Sequence, residues 1–416
     1  MEFKKILEPI QLRKMCLKNR LVGSPVTTNF ASSNGEATER LVNFYRERAK
    51  GGASLVIVEG SFIHPLGKGY VNQLGIHEDS LIPSLIKVVA AIHESGAKAS
   101  IQLHHAGRRT SSKITGSTPK GPSPIPCYVG GEIPEELTPH GIRRIIECHS
   151  LAALRAKKAG FDSVDIHAAH GYLIPAFLSP LSNRRRDEYG GSLENRVRIA
   201  VEVISNVRKV VGDEFPITMK ISGDEFAKGG LSIEEMQKIA PFLEKAGVDA
   251  LAVSAGTVTP EEIGLDYSTP HTFVRTLPMG TKEGCFSYLA GAIKEAVGIP
   301  VMAVGRINTP YVAEDILQRG QADLICLGRG LLADPCFPRK ALEGRAEEIR
   351  ICVACNQGCF DRLFLQKEIS CMVNPAIGHE EELAIERNRR LRNVWVVGAA
   401  LQGWKPPGWL VGEETE

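Results

Sequence analysis

The chain has 416 residues, and its 50 lysines and arginines nearly balance its 48 aspartates and glutamates. Apolar residues make up 43% and charged residues 24%, which is typical of a soluble globular protein. The balanced charge gives no electrostatic basis for binding nucleic acid or an anionic membrane. We find no apolar run long enough to span a bilayer and no apolar signal segment after Met1–Lys5, so we expect a cytoplasmic protein.

Short apolar runs alternate with longer amphipathic segments over residues 1–347. The apolar runs predict strands at Arg20–Ser24, Ser54–Glu59, Ala99–His104, Ser163–His167, Ile217–Ile221, Ala250–Ser254, Pro300–Val304 and Asp323–Leu327. The amphipathic segments predict helices at Glu39–Lys50, Ile82–Ser95, Pro139–Ala159, Leu193–Val211, Ile233–Lys245, Lys282–Ala296 and Pro310–Arg319. Several of these helices are followed by a glycine, which is typical of a helix C-cap, at Gly96, Gly160, Gly247 and Gly320.

This alternation predicts a parallel sheet, and eight strands are the number that closes into a (β/α)8 barrel. A doubly wound open sheet is the alternative. Chemically distinctive residues stand at or just after the predicted strand ends, as at Gln102, His167 and Lys220. Because all strands of such a barrel bring their carboxyl ends to one face, we predict a barrel over residues 1–347 with its site at that face.

Four cysteines after the barrel follow the pattern C-x2-C-x3-C-x11-C: Cys352, Cys355, Cys359 and Cys371. Four thiolates are what a [4Fe–4S] cluster requires. A structural zinc is the alternative, but zinc sites usually present two separated C-x2-C pairs. We therefore predict that residues 348–380 bind an iron–sulfur cluster.

Two histidines and a tyrosine follow the fourth predicted strand: His167, His170 and Tyr172. Imidazole donors can stabilise the enolate oxygen that forms when hydride adds to a conjugated double bond, and a nearby phenol can supply the proton. A packed polar loop and a metal site are the alternatives. Metal is disfavoured because no carboxylate or third histidine stands nearby in the loop.

Two Gly-Arg pairs, Gly305-Arg306 and Gly328-Arg329, follow the seventh and eighth predicted strands. Barrels commonly bind phosphate there, since glycine lets backbone N–H groups approach the anion and arginine adds a bidentate contact. The pairs predict a phosphate-bearing cofactor, and together with the cysteines they indicate flavin mononucleotide (FMN).

Residues 381–416 begin as a charged linker, followed by the predicted strand Val394–Gly398. This pattern suggests the opening of a dinucleotide-binding unit. However, Ala400 stands where its second glycine belongs, and Pro406-Pro407 interrupts a following helix. We expect no complete FAD domain in this chain, and therefore no bound FAD.

With these motifs taken together, the chain resembles the Old Yellow Enzyme family of FMN-dependent ene-reductases. It is most similar to the iron–sulfur branch, which includes 2-enoate reductase, 2,4-dienoyl-CoA reductase, bile-acid-inducible steroid oxidoreductases and trimethylamine dehydrogenase. The resemblance covers about residues 5–380 and rests on Leu17–Val22, Tyr45–Gly52, Gln102–Arg108, His167–Tyr172, Phe177–Pro180, Asp187–Arg196, Leu327–Gly330 and Cys352–Cys371. Long members continue into FAD- and NAD(P)H-binding domains.

The resemblance implies a role for each matching position. Pro25, Val26 and Thr27 would line the flavin ring, and Gly60 and Gln102 would contact its pyrimidine edge. Lys220 would lie near the flavin N1 and O2 atoms, where a cation stabilises reduced flavin. Phosphate would be held by Gly305, Arg306, Gly328 and Arg329. His167 and His170 would bind the substrate oxygen, and Tyr172 would donate the proton.

Two departures narrow the expected activity. Dienoyl-CoA reductases lack this histidine pair, and trimethylamine dehydrogenase links its flavin to a cysteine that Val26-Thr27-Thr28 does not provide. We expect reduction of an activated C=C bond in an enoate, enone or dienoyl-type substrate. NAD(P)H or a separate electron-donor protein would supply the electrons. The alternatives are an electron-transfer subunit of a split flavoprotein and an amine dehydrogenase on the same scaffold.

Overall fold

The computed structural model describes residues 3–127, 131–257 and 276–384. Eight parallel strands close into a barrel in which neighbours in the sheet follow one another along the chain. The predicted (β/α)8 barrel is therefore confirmed. The strands, β1 to β8, are Leu21–Gly23, Leu55–Phe62, Lys98–His104, Ser163–Ala168, Ile217–Ser222, Ala250–Ser254, Val301–Val304 and Leu324–Leu327.

Helices follow the strands around the outside of the barrel. Two of them, Glu39–Lys50 and Leu193–Val211, begin and end where predicted. The helix predicted from Lys282 begins instead at Ser287, because Gly284 takes a left-handed φ of 62° that a helix does not accommodate. The remaining α-helices are Lys4–Leu7, Ile82–His93, Ser112–Thr115, Pro139–Lys158, Leu173–Leu178, Ile233–Ala246, Ser287–Ala296, Pro310–Gln318, Arg329–Ala333, Phe337–Leu342 and Arg362–Phe364.

Side-chain caps and glycines define the ends of the longer helices. The Ser192 hydroxyl accepts a hydrogen bond from the Asn195 backbone N–H. The same capping bond is made by Thr38, Thr138, Ser232 and Thr309. The four glycines expected after helices all take a positive φ, at Gly96, Gly160, Gly247 and Gly320.

The amino-terminal end of the barrel is closed by a short antiparallel hairpin, Ile10–Leu12 with Met15–Leu17. Its apolar side chains pack in one cluster with inward-facing residues near the starts of the strands, including Leu55, Ala250 and Leu324. This plug buries the lower part of the barrel interior. Among the described residues, the barrel interior is therefore open at the opposite, carboxyl end of the strands, where the cavity lies.

The segment after the barrel packs back onto that carboxyl end. The Ile369 backbone N–H donates to the Thr28 carbonyl (3.0 Å), and the Asn374 amide donates to the Leu332 carbonyl (2.8 Å). No helix among residues 3–127, 131–257 and 276–384 is long and apolar enough to cross a membrane. The charged linker beyond Ala384 and the predicted strand Val394–Gly398 lie outside the described residues.

A buried ion pair anchors the end of this segment, and it gives a stability prediction. Arg48 Nη1 donates to Glu380 Oε1 (2.9 Å), and the two side chains are only 4% and 7% exposed. Glu380→Gln leaves the buried guanidinium without its counter-charge, which typically costs about 3–5 kcal/mol. Urea unfolding should show this loss.

The matched control is Glu382→Gln, whose carboxylate is 75% exposed beside His379. Exposed ion pairs contribute about 0–1 kcal/mol, so this variant should unfold close to the parent. Equal effects of the two substitutions would contradict the anchoring role of Glu380.

Candidate active site

An open cavity with an empty volume of about 1170 Å³ lies at the carboxyl ends of the barrel strands. Its wall contains every residue that the sequence analysis assigns to flavin or substrate binding. These residues are Pro25, Val26, Thr27, Gly60, Gln102, His167, His170, Tyr172, Lys220, Gly305, Arg306, Gly328 and Arg329. The structure thus brings thirteen positions from seven strand ends into one place, while their individual roles stay predictions.

The histidine–tyrosine loop follows β4 and is held in an uncommon conformation. His170 has a φ of 65° and Gly171 a φ of 72°, so the chain turns sharply into the cavity. The His170 backbone N–H donates to Ser222 Oγ (3.0 Å), and His170 Nε2 lies 2.8 Å from Ser254 Oγ. These contacts tie the loop to the ends of β5 and β6.

His167 is buried and electrically neutral. Burial lowers the pKa of its imidazole well below the usual value, and the nearby His104, His170 and Lys220 act in the same direction. The Ala169 backbone N–H donates to His167 Nδ1 (3.3 Å). Because Nδ1 accepts, the neutral ring carries its proton on Nε2 and can donate it to a ligand oxygen.

Tyr172 is buried between two partners of different kinds. The Arg109 guanidinium lies 4.3 Å from the centre of its ring, and the His104 ring meets it edge-on at 4.3 Å. Arg109 also donates to the His170 carbonyl (2.6 Å). Arg109 therefore holds both ends of the loop, since it contacts His170 and Tyr172 together.

The wall beside this loop is organised by a buried carboxylate on β4 itself. Asp165 accepts hydrogen bonds from the Gln102 amide (2.7 Å) and the Thr218 hydroxyl (2.6 Å). The Gln102 side-chain nitrogen is thereby committed to Asp165, which leaves its oxygen facing Gly60 at the cavity wall. Lys220 Nζ donates to Ser24 Oγ (3.0 Å), and burial lowers the pKa of its ammonium.

A register shift in β2 places Gly60 in the wall. The pairing with β3 shifts between Val58 and Ser61, so β2 continues to Phe62 rather than ending at Glu59 as predicted. The bulge is next to Glu59, whose carboxylate accepts from the backbone N–H (2.8 Å) and hydroxyl (2.6 Å) of Thr28. Glu59 thus fixes the loop that carries Pro25–Thr27.

The Gly-Arg pairs form the third part of the wall. Gly305 has a φ of 126°, and a Cβ there would lie 2.6 Å from the Phe286 ring, so only glycine fits. Arg306 Nη1 donates to the Pro278 carbonyl (2.8 Å), whereas its buried Nε has no partner among the described residues. Arg329 donates to the Leu277 carbonyl (2.8 Å).

The cysteine segment covers the mouth of the same cavity. Arg329 also donates to the Asn356 amide oxygen (2.6 Å), and Cys359 lines the cavity. The Ser370 backbone N–H donates to the Gly358 carbonyl (2.6 Å). A Cβ on Gly358 would lie only 3.1 Å from the Cys371 Cα, so this close approach brings the fourth cysteine beside the third.

The four thiols interact electrostatically. Burial raises the pKa of the Cys359 thiol to about 11, with Cys352 and Cys371 acting in the same direction and Arg329 opposing them. All four cysteines are free and partly buried. Within residues 3–127, 131–257 and 276–384, no three His, Cys, Asp or Glu side chains are arranged to hold a metal ion. The cluster therefore stays a prediction.

His104 is the main cavity residue that the site assignment omits. It is 2% exposed, and its ring centre lies 5.3 Å from that of His167. The signal was available, because His104 follows Gln102 by two positions on β3 and so faces the same side of the strand. Arg109 was less predictable, since it reaches the site from a 3-10 helix, Gly107–Arg109, beyond that strand.

A family model described as NADH:flavin oxidoreductase / NADH oxidase matches residues 5–348. A metal reductase from Desulforamulus reducens is 42% identical over 398 residues, covering 96% of this chain and 58% of the relative. A cinnamate reductase from Clostridium sporogenes is 33% identical and covers 97% of this chain and 62% of the relative. The chain therefore spans about 60% of the length of these curated relatives.

Solved structures also match most of the chain. A 2-naphthoyl-CoA reductase in complex with 2-naphthoyl-CoA has a TM-score of 0.84 and 34% identity, covering 91% of this chain and 58% of that one. Histamine dehydrogenase from Rhizobium sp. 4-9 has a TM-score of 0.80 and 29% identity, and the match covers 91% of this chain and 53% of that one.

The buried His104 makes stability depend on pH. Burial lowers the pKa of His104 to about 3, below its value of about 6.5 in an unfolded chain, so unfolding takes up a proton. The contribution of the neutral imidazole to the free energy of unfolding is complete above pH 6.5. It is lost as the pH falls toward 3, by about 1.4 kcal/mol per pH unit. Replacing His104 by phenylalanine removes this dependence.

In urea unfolding, the stability of His104→Phe relative to the parent should therefore improve by about 1 kcal/mol between pH 6 and pH 5. A difference that is the same at both pH values would contradict a neutral, buried His104.

Proposed function

Because the chain belongs to the NADH:flavin oxidoreductase / NADH oxidase family, we propose that it is an FMN-dependent reductase of activated C=C bonds. The resemblance to the Old Yellow Enzyme family is confirmed by the same matches. One observation carries the proposal. The histidine–tyrosine loop, the Gln102–Lys220 wall and both Gly-Arg pairs line a single cavity.

The chemistry of the cavity residues suits FMN. Arg306 has a buried Nε with no partner among the described residues, and packing against the Phe286 ring requires glycine at position 305 beside it. With Gly328 and Arg329 they would hold the phosphate. Pro25, Val26 and Thr27 would line the ring, Gly60 and Gln102 would contact its pyrimidine edge, and Lys220 would supply a cation near N1 and O2.

FMN, when bound, supplies the hydride that adds to the β-carbon of the acceptor. His167 would donate its Nε2 proton in a hydrogen bond to the acceptor oxygen, and its neutral state suits that task because no counter-charge is needed. His170 would be the second polar contact to that oxygen. Tyr172 would transfer a proton to the α-carbon, and Arg109 would keep the phenol in place through its contact with the ring.

Cys352, Cys355, Cys359 and Cys371 would hold a [4Fe–4S] cluster, whose chemistry is one-electron transfer. Four free thiols are the donors that the cluster requires, and the Gly358–Ser370 hydrogen bond brings Cys359 and Cys371 close together, although no three such side chains among the described residues are already arranged around a metal position. Cys359 also lines the flavin cavity. On the segment at residues 348–380 such a cluster would take single electrons from a separate donor protein, whereas NAD(P)H, which donates a hydride, would reduce the flavin directly.

Amine oxidation is the second candidate, because the histamine dehydrogenase structure superposes on 91% of this chain. A panel of amines and enoates, read as reduction or reoxidation of the bound flavin, separates the two reactions. The cinnamate reductase match favours the enoate.

The cofactor assignment predicts the composition of the purified protein. Protein purified without oxygen should contain about one FMN and about four irons per chain. Cys359→Ser should lose iron and keep flavin, because the flavin contacts lie mainly on the barrel strands. Acid-extracted FAD, or one zinc in place of iron, would contradict the assignment.

The catalytic assignment predicts a selective effect of Tyr172→Phe. Reoxidation of reduced flavin by an enone should slow by about 100-fold, since one donor in the transition state is lost. Reduction of the flavin by dithionite should be unchanged. Stopped-flow absorbance measures both rates.

Tyr311→Phe is the control, because Tyr311 is 46% exposed on the outside of the barrel. If Tyr172→Phe turns over the enone at the parent rate, another group donates the proton.

A further inference from the structure

A third imidazole, that of His104, faces the cavity beside His167 and His170, which are proposed to bind the acceptor. His104 ends β3, lines the cavity and is 2% exposed. Its two ring nitrogens are both buried without a hydrogen-bond partner among the described residues. A buried imidazole normally satisfies at least one nitrogen, because an unpaired buried polar group costs about 1–3 kcal/mol. Two buried ring nitrogens without partners therefore point to a ligand.

The position of His104 relates it to the reacting end of the acceptor. Its ring centre lies 5.3 Å from that of His167 and 4.3 Å from that of Tyr172. The ring centres of His167 and His170 are 5.4 Å apart. A polar group held by His167 is thus within reach of His104 as well, on the side toward Tyr172.

The charges around the cavity indicate whether the bound polar group is anionic or cationic. The cations Lys220, Arg306 and Arg329 are assigned to FMN, and none of the described lining residues is an aspartate or glutamate that would repel a second anion. Arg109 lies close enough to lower the pKa of both His104 and His167. A site with this charge favours an anionic ligand.

We propose that His104 donates its ring N–H to the second oxygen of a substrate carboxylate, while His167 and His170 bind the first. This inference rests on the proposed function and deepens it, since it assigns α,β-unsaturated carboxylates as the preferred substrate class. A ketone or aldehyde has one oxygen and leaves His104 unpaired. Such a site discriminates against the ketone because the buried polar group stays unsatisfied.

The test compares two acceptors of nearly equal shape, cinnamate and 4-phenyl-3-buten-2-one, on the holoenzyme with dithionite-reduced flavin. His104→Phe keeps an aromatic ring against Tyr172 but removes both nitrogens. The ratio of kcat/KM for cinnamate to that for the ketone should fall by about 10- to 100-fold, as expected for one lost hydrogen bond to a charged group. His104→Gln keeps an N–H donor and should restore most of the ratio.

Binding of the saturated product gives a readout that does not depend on turnover. Calorimetric titration with 3-phenylpropanoate should show the same 10- to 100-fold weakening in His104→Phe and recovery in His104→Gln. His93→Gln, at the exposed end of helix Ile82–His93, is the matched control and should leave both measurements at the parent value.

The outcomes are distinct. A ratio that is unchanged in His104→Phe, or lost equally in His104→Gln, overturns the proposal and leaves His104 a packing residue for Tyr172. If the parent enzyme reduces the ketone well and cinnamate poorly, the carboxylate assignment fails while the ene-reductase function stands. If the parent reduces neither acceptor, the proposed function itself fails.

Discussion

Closure of eight parallel strands is the constraint on which the rest of the molecule depends. Because every strand runs in the same direction, all the carboxyl ends meet at one rim, and the hairpin Ile10–Leu17 fills the other end. Residues far apart in the sequence, from Pro25 to Arg329, therefore share one cavity. No local contact between these residues is needed to bring them together.

Within that cavity, burial controls the protonation of the polar groups. It lowers the pKa of His104 to about 3 and that of His167 well below its usual value, and so favours the neutral form of both rings. Positive charge is supplied instead by lysine and arginine at other parts of the wall. This separation of neutral imidazoles from the lysine and arginine cations would suit the proposed site. Such a site would stabilise developing negative charge at one end and bind a phosphate at the other.

The segment after the barrel connects the cysteines to the barrel site through a few specific bonds. Arg329 donates both to the Leu277 carbonyl and to Asn356, which lies between Cys355 and Cys359. The Glu380–Arg48 pair holds the far end of the segment. Asn356 thus connects the cysteine segment directly to a residue of the cavity wall.

The sequence by itself determined the fold class and most helix ends, because the period of apolar residues and the caps, such as Ser192, act locally. It also marked the residues of the cavity, since distinctive side chains stand at strand ends. It did not reveal the bulge at Gly60, the late start of the helix at Ser287 or the approach of Arg109 to the site. Those features depend on strand register, a positive φ and contacts between distant loops, and only the closed barrel decides them.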